Sequence, residues 1–277
     1  MINEDTLARH YAQGNVLEAI TAGIARLGKT PQTVTIDDLA PVDEFHVGGR
    51  EATSAFLDQL GISGDDHLLD IGCGLGGASR LAAHRYGCRV TGIDLTAEYV
   101  QAGNTLCAWL GMADRIRLEQ GNATVLMQPA ASFDRATMLH VGMNIADKQG
   151  LARGVWRVLR PGGVFGIYDL MRVGDGELTF PVPWASEPGA SALARPDDYH
   201  AALVGAGFEI IGERNRREFA LEFYERMRGK AAAAGGPPPL GLHLLMGPQA
   251  ATKLKNMIQN IARGNIAPIE LIARKPG

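Results

Sequence analysis

An α/β fold built on a mostly parallel sheet is what this sequence predicts, and three observations predict it. From residue 66 onward, short apolar runs that end in glycine or a polar residue alternate with stretches of helical spacing. The first of these runs opens into a glycine-rich turn, Gly72, Gly74, Gly76 and Gly77, directly before a helical stretch. The 277 residues, 46% hydrophobic and 21% charged, are enough to bury a sizeable core.

The elements follow in order. Leu7, Tyr11, Val16, Ile20, Ile24 and Leu27 recur every three or four positions, which predicts helix over 5–28 with Gly14 as a candidate break. Residues 29–50 carry Pro31, Pro41 and Gly48-Gly49 and read as loop. A helix over 52–60 is stopped by Gly61. Strands are expected at 67–72, 88–94, 115–120, 133–141 and 164–170. Helices fall between them at 78–86, 97–110 and 147–160, the last stopped by Pro161-Gly162-Gly163. Right-handed crossovers place such helices on both faces of a parallel sheet. Residues 172–194 are rich in Gly, Pro, Ser and Trp and read as loop or lid. A helix at 196–206 leads to a strand at 207–214. Residues 216–262 read as mostly helical, interrupted at Gly235-Gly236-Pro237-Pro238-Pro239, and a seventh strand closes the chain at 266–275. The organisation is an N-terminal helical segment, 1–62, and a main domain, 63–277, with lid insertions at about 172–194 and 216–262.

Charge and cysteine usage exclude several functions. A formal net charge of −3 provides no basic field for nucleic acid or an anionic membrane. The short run Arg214, Arg216 and Arg217 reads as a solvated turn. Cys73, Cys88 and Cys107 form no CxxC pair, and no His/Cys cluster has metal-ligand spacing, so no metal is expected. Reduced thiols point to the cytoplasm. The opening residues carry early acids without an apolar h-region, and no window reaches the roughly 18 apolar residues of a membrane span. Nothing in the sequence decides for or against a homo-oligomer.

The chemistry concentrates at the glycine turn. Glycines there let the backbone bend sharply and approach a ligand closely, and the following helix offers free N–H groups. Gly72, Gly74 and Gly77 even satisfy GxGxxG, so the turn alone does not choose between a dinucleotide and another nucleotide. Asp94 ends the next strand about 20 residues on. It is placed to accept from both ribose hydroxyls, with Leu95 beside it; its alternative is to cap the helix that begins near Thr96. Asp70 lies just before the first glycine, where a diphosphate would be repelled and an ammonium group welcomed. Gly121-Asn122-Ala123 follows the third strand and is placed to meet adenine.

With these motifs the chain resembles the class I S-adenosylmethionine-dependent methyltransferases across residues 66–170. Asp70–Gly77 matches the family's first motif, Asp94 its ribose acid, Gly121–Ala123 its adenine segment with Asn122 in place of the usual acid, and residues 159–163 the turn before the fifth strand. The resemblance implies a Rossmann-like seven-stranded sheet with an antiparallel last strand that forms a hairpin with 207–214. It also implies a helical lid over the active site and methyl transfer from S-adenosylmethionine to a small-molecule acceptor, with S-adenosylhomocysteine as product. Residues 41–53 and 138–148 narrow the likeness to the branch with sarcosine/dimethylglycine, ubiquinone, tocopherol and natural-product enzymes. There an N-terminal segment covers the cofactor, which puts Phe45, His46, Gly48 and Gly49 near its methionine end. Leu139 follows for a backbone contact to the cofactor ammonium.

Methyl transfer needs alignment of the acceptor, exclusion of water and, for some acceptors, a base. His140 and Asp169, near the carboxyl ends of the fourth and fifth strands, are the candidates to orient an acceptor or take its proton. The alternative for His140 is a packed residue bonded to a neighbouring carbonyl, and for His46 a loop histidine bonded to backbone. The stripe Phe219, Phe223, Met227 lies on one helix face and reads as ordinary packing or as an apolar pocket wall. Two other functions share these features. An NAD(P)-dependent oxidoreductase would usually open on the glycine turn, whereas about 70 residues precede it here. A non-catalytic S-adenosylmethionine-binding domain would show a blocked acceptor pocket.

Overall fold

The computed structural model describes residues 7, 10–12, 14–234 and 238–277, with 231–234 described by backbone alone. The strands are β1 (His67–Ile71), β2 (Arg89–Asp94), β3 (Ile116–Gln120), β4 (Phe133–Leu139), β5 (Leu159–Arg172), β6 (Glu209–Asn215) and β7 (Ile266–Arg274). They form one sheet in the order β3-β2-β1-β4-β5-β7-β6. β1 to β5 pair in parallel, and β7 runs antiparallel to both β5 and β6. The last strand is thus antiparallel and forms a hairpin with β6, inserted between β6 and the body of the sheet.

Alternation along the strands builds two cores. Leu69 and Ile71 of β1, with Phe165 and Ile167 of β5, face one apolar cluster, closed by α6 (Lys148–Val158) and α7 (Pro196–Gly205) through Leu151, Val155, Ala202 and Leu203. Leu68, Val90, Leu118 and Tyr168 face the other, closed by α3 (Gly49–Leu57), α4 (Gly77–Tyr86) and α5 (Ala97–Trp109). Each fully buried Leu or Phe in these layers contributes roughly 1.5–3 kcal/mol relative to exposure. At Gly166 a Cβ would stand 2.7 Å from both Phe56 Cζ and Leu60 Cδ2, so glycine there lets α3 seat directly on β5. Further helices are α1 (Val16–Arg26), α2 (Ile36–Asp43), α8 (Arg217–Ala234), the single turn α9 (His243–Met246) and α10 (Ala250–Ala262).

Several elements depart from the sequence expectation. The helix expected over 5–28 is interrupted at Gly14 (φ +80°) and restarts at Val16, where the N–H groups of Gly14 and Val16 donate to the Glu98 carboxylate at 3.0 and 2.9 Å. Residues 5, 6, 8, 9 and 13 of that stretch lie outside the described residues, as do 235–237 of the Gly/Pro interruption. The stretch 29–50 is not all loop. α2 starts on a capping box in which Thr35 Oγ1 accepts from the Asp38 N–H and Asp38 accepts from the Thr35 N–H, and it buries Leu39 and Val42. Pro41 removes one helical donor but does not prevent a helix of 8 residues. The helix expected at 52–60 starts earlier, at Gly49, behind left-handed Gly48. β5 begins at Leu159, before the Pro-Gly-Gly run, which it absorbs through a register shift against β4 between Phe133 and Arg135.

Candidate active site

The glycine turn is pinned to the sheet by its own backbone. The N–H groups of Gly72 and Cys73 both donate to the Ile93 carbonyl, at 2.7 and 3.1 Å. Gly72, Gly74 and Gly76 have φ of +68°, +53° and +81°, the left-handed region open to glycine. A Cβ on Gly72 would stand 2.2 Å from Val141 Cγ2, so crowding forbids a side chain there as well.

Asp94 braces this turn. Its Oδ2 accepts from the Gly74 N–H and its Oδ1 from the Thr96 N–H, both at 2.8 Å. Burial pushes its carboxyl pKa up, and the two backbone donors pull it back. Capping and ligand-facing placement therefore coexist: the carboxylate holds the start of α5 and lines the crevice beside it. One N–H that would cradle a phosphate is already spent on an anion, which disfavours a diphosphate at this turn. Asp70, 2% exposed, accepts from Ser79 Oγ at 2.6 Å and Thr137 Oγ1 at 3.1 Å. Burial raises its pKa to about 6, against the pull of the two hydroxyls.

A cavity of about 330 Å³ opens at the carboxyl ends of the central strands, and His46, Asp70, Gly72, Gly74, Asp94, Leu95, Asn122, Ala123, Leu139 and His140 all line it. Asn122 Oδ1 accepts from the N–H and the hydroxyl of Thr124, both at 2.8 Å, so its carbonyl is engaged within its own loop. Asp169 does not line the cavity. It is 0% exposed, and its carboxylate accepts from the Tyr199 hydroxyl at 2.6 Å and from the Leu170 N–H at 2.9 Å. Burial raises its pKa to about 6. Strand alternation explains the placement: Tyr168 faces the N-terminal segment, so its neighbour Asp169 faces α7 on the other side of the sheet.

The segment from Asp43 to Gly49 forms a strap across the cavity. The Asp43 carboxylate meets Arg80 Nη2 at 2.6 Å, both side chains fully buried. Glu44 accepts from Thr53 Oγ1 at 2.6 Å and Arg50 Nε at 2.7 Å, and lies 2.9 Å from His46 Nε2. Burial alone would raise the Glu44 pKa, yet His46, Thr53 and Arg50 together bring it to about 2. Phe219 and Phe223 stack at 6.3 Å and press on the back of the strap, where a Cβ on Gly48 would stand 2.5 Å from Phe219 Cε1. Met227 is 45% exposed. The stripe on α8 therefore packs against the strap and does not line the cavity.

His140 has φ +53°, and its N–H donates to the Tyr168 carbonyl at 2.7 Å. The far wall of the cavity comes from outside the central sheet: Leu7, Tyr11, Phe45, Pro183, Trp184 and Leu245, joined by Met143 and Asn144. Asn144 Nδ2 donates to Tyr11 Oη at 3.1 Å, and Trp184 Nε1 donates to Ser191 Oγ at 2.9 Å. Arg80 and Asn144 escaped the sequence reading. A buried arginine is legible only once Asp43 is seen opposite it, and Asn144 only once Tyr11 is. Among the described residues no group of His, Cys, Asp and Glu could hold a metal ion, and no helix is long and apolar enough to cross a membrane.

Strand ends, a carboxylate-braced glycine turn and a second buried acid define an α/β protein built for an adenosyl group without a diphosphate. Comparison with known proteins agrees. The family described as "Methyltransferase domain" matches residues 68–163. Methyltransferase GfsG of Streptomyces halstedii is 27% identical over 73% of this chain and 72% of its own length. Sterol 24-C-methyltransferase of Eremothecium gossypii is 29% identical over 58% of this chain, and erythromycin 3''-O-methyltransferase of Saccharopolyspora erythraea is 33% identical over 45%. The chain spans less than half the length of the latter two, 44% and 42%. Among solved structures, geranyl diphosphate C-methyltransferase of Streptomyces coelicolor superposes with a TM-score of 0.71 at 19% identity, covering 98% of this chain and 97% of that one. The [4+2]-cyclase SpnF superposes at 0.70 with 20% identity, covering 99% and 97%. These two likenesses establish the fold. Residues 68–163 match a methyltransferase domain, and along this stretch the chain is similar to small-molecule methyltransferases.

Proposed function

We propose that this protein transfers a methyl group from S-adenosylmethionine to a largely apolar small molecule, releasing S-adenosylhomocysteine. The observation that carries this reading is the shared cavity: the braced glycine turn and Asp94 on one side, Tyr11, Phe45, Met143, Pro183, Trp184 and Leu245 on the other. The cofactor fits the polar groups present. Tyr99 Oη and Asn144 Oδ1 are buried polar atoms without a partner among the described residues, and both residues line the cavity.

When bound, the sulfonium supplies the reactive methyl group. Asp94 and Leu95 hold the ribose end, Asn122 and Ala123 the adenine, and Asp70 and the Leu139 backbone favour the ammonium. The strap and the Pro183–Trp184 wall exclude water and align the acceptor. Of the two candidates for a chemical role, His140 stands at the cavity, whereas Asp169 supports the turn after β4 from beneath.

Relatives named for a sterol, erythromycin and phosphoethanolamine show how widely acceptors vary. Two features favour the apolar end of that range. Aromatic and aliphatic side chains make the far wall, and no lysine or arginine lines the cavity among the described residues, so nothing there would neutralise a phosphate. The three buried free cysteines suit a reducing cytoplasm. Calorimetry should show binding of S-adenosylmethionine and S-adenosylhomocysteine and none of NAD; NAD binding alone would reverse the cofactor. Methyl-labelled cofactor incubated with a metabolite extract should place label in the organic-soluble fraction, and label confined to phosphorylated products would overturn the acceptor class.

A further inference from the structure

Val47 is gripped through both of its backbone polar groups, by His140 at the end of β4 and Tyr168 of β5. Its N–H donates to His140 Nδ1 at 3.2 Å, and its carbonyl accepts from the Tyr168 hydroxyl at 2.9 Å. The three partners come from the strap, the end of β4 and the second half of β5, and all are buried. The His140 and Tyr168 rings pack at 5.0 Å with an interplanar angle of 38°, so each fixes the other's orientation.

A ring nitrogen that accepts a hydrogen bond carries no proton. With Nδ1 accepting from Val47, a neutral His140 must carry its proton on Nε2. The groups facing this ring are the Val47 peptide and His46 on the strap, and Tyr168 on β5; none is a carboxylate that would favour the doubly protonated form. His46 and burial both disfavour it. The Nε2–H is buried, has no partner among the described residues, and belongs to a residue that lines the cavity. A buried donor left unpaired is costly, so its acceptor has to come from the cavity that His140 lines.

We propose that Val47 and Tyr168 form a clasp that locks His140 as a hydrogen-bond donor, and that this donor recognises an oxygen or nitrogen lone pair on the methyl acceptor. In this arrangement Tyr168 is a positioning residue, acting through Val47 and His140. His140 does not serve as a general base, because its available nitrogen already holds a proton and the other is occupied. The acceptor is then a molecule that presents an oxygen or nitrogen lone pair next to the reacting atom, and any proton it loses leaves by another route.

The proposal rests on the methyltransferase reading for its substrate, but its first test does not. Long-range ¹H–¹⁵N correlation on ¹⁵N-histidine-labelled protein reads the tautomer of His140 directly in the free enzyme. The expected result is an unprotonated Nδ1 and a protonated Nε2 that stay so on acidification until the protein unfolds. A proton on Nδ1, or titration within the ordinary histidine range, would overturn the clasp. Tyr168→Phe should mix the tautomers and speed hydrogen exchange at the Val47 amide at least tenfold; an unchanged tautomer and exchange rate would remove Tyr168 from the arrangement.

His140→Phe then separates the possible sources of the lone pair. If the acceptor supplies it, KM for the acceptor rises or kcat falls at least tenfold while S-adenosylhomocysteine affinity changes less than threefold. If affinity for S-adenosylhomocysteine falls instead, the lone pair belongs to the cofactor and the acceptor assignment is overturned. Should the protein bind no S-adenosylmethionine at all, the methyltransferase reading fails, and the tautomer measurement still decides the clasp.

Discussion

Arg80→Met tests how the strap is anchored to the nucleotide-binding turn. Arg80 is fully buried; one Nη2–H meets Asp43 Oδ1 at 2.6 Å and Nη1 donates to the Leu75 carbonyl at 2.7 Å. The pair is incompletely satisfied, since Asp43 Oδ2 and Arg80 Nε have no partner among the described residues. Removing the guanidinium leaves a carboxylate in the interior without its counter-charge, which costs about 3–5 kcal/mol. For a chain of this size that lowers Tm by about 10 °C. The double variant Arg80→Met/Asp43→Asn removes the orphaned charge and should recover half or more of the loss. The deficit should also depend on pH. Burial already holds Asp43 above the ordinary carboxylate range, and losing Arg80 raises it further. A native pKa above the unfolded value means the fold binds the proton more tightly, so stability increases as pH falls through that window. Urea unfolding should therefore show a larger deficit at about pH 8 than at about pH 5.5. A loss under about 1 kcal/mol, equal losses in single and double variants, or a deficit that grows on acidification would refute the anchoring role.

Two further substitutions address the crevice and its support. Asp94→Ala orphans the N–H groups of Gly74 and Thr96, which it holds at 2.8 Å, and should weaken S-adenosylhomocysteine binding by about 1–3 kcal/mol in calorimetry; unchanged affinity would take Asp94 out of the cofactor site. Tyr199→Phe removes the hydroxyl that donates to buried Asp169 and should cost about 1–3 kcal/mol of stability in urea unfolding, with turnover per folded molecule retained. A large fall in turnover at full stability would return Asp169 to the chemistry.

What the sequence made legible was what local rules govern. Apolar runs ending in glycine or Asp marked β1 and β2, because a parallel strand buried on both faces must be apolar and its exit must bend toward the ligand. Asp94 was readable because a single carboxylate at a strand end reaches both the glycine turn and the next helix. α2 stayed hidden behind Pro41 even though Thr35-Ile36-Asp37-Asp38 carries its capping box. Asp169 was read with His140 as a candidate at the strand ends, yet the two-residue repeat of a strand sends it to the face opposite its neighbour Tyr168. That rule, applied to β5, would have moved Asp169 away from the strap on sequence alone.

Other parts of the site could not have been read by any local rule. The Arg80–Asp43 pair joins residues 37 positions apart, and each side chain is interpretable only beside the other. The Val47 clasp is harder still. Its working atoms are a backbone N–H and a backbone carbonyl, which every non-proline residue carries, so position 47 bears no compositional mark of its task. The mark falls on the partners: a histidine forced to φ +53° at the end of β4 and a tyrosine two-thirds of the way along β5, both buried. A left-handed, non-glycine residue is strained unless its surroundings hold it, and here the Tyr168 carbonyl takes its N–H while Val47 takes its ring. Replacing Val47 by proline removes only the N–H from this pair of grips. Val47→Pro should therefore release the His140 tautomer while Val47→Ala leaves it fixed, and identical ¹⁵N spectra for the two variants would show that the backbone donor does not set the ring.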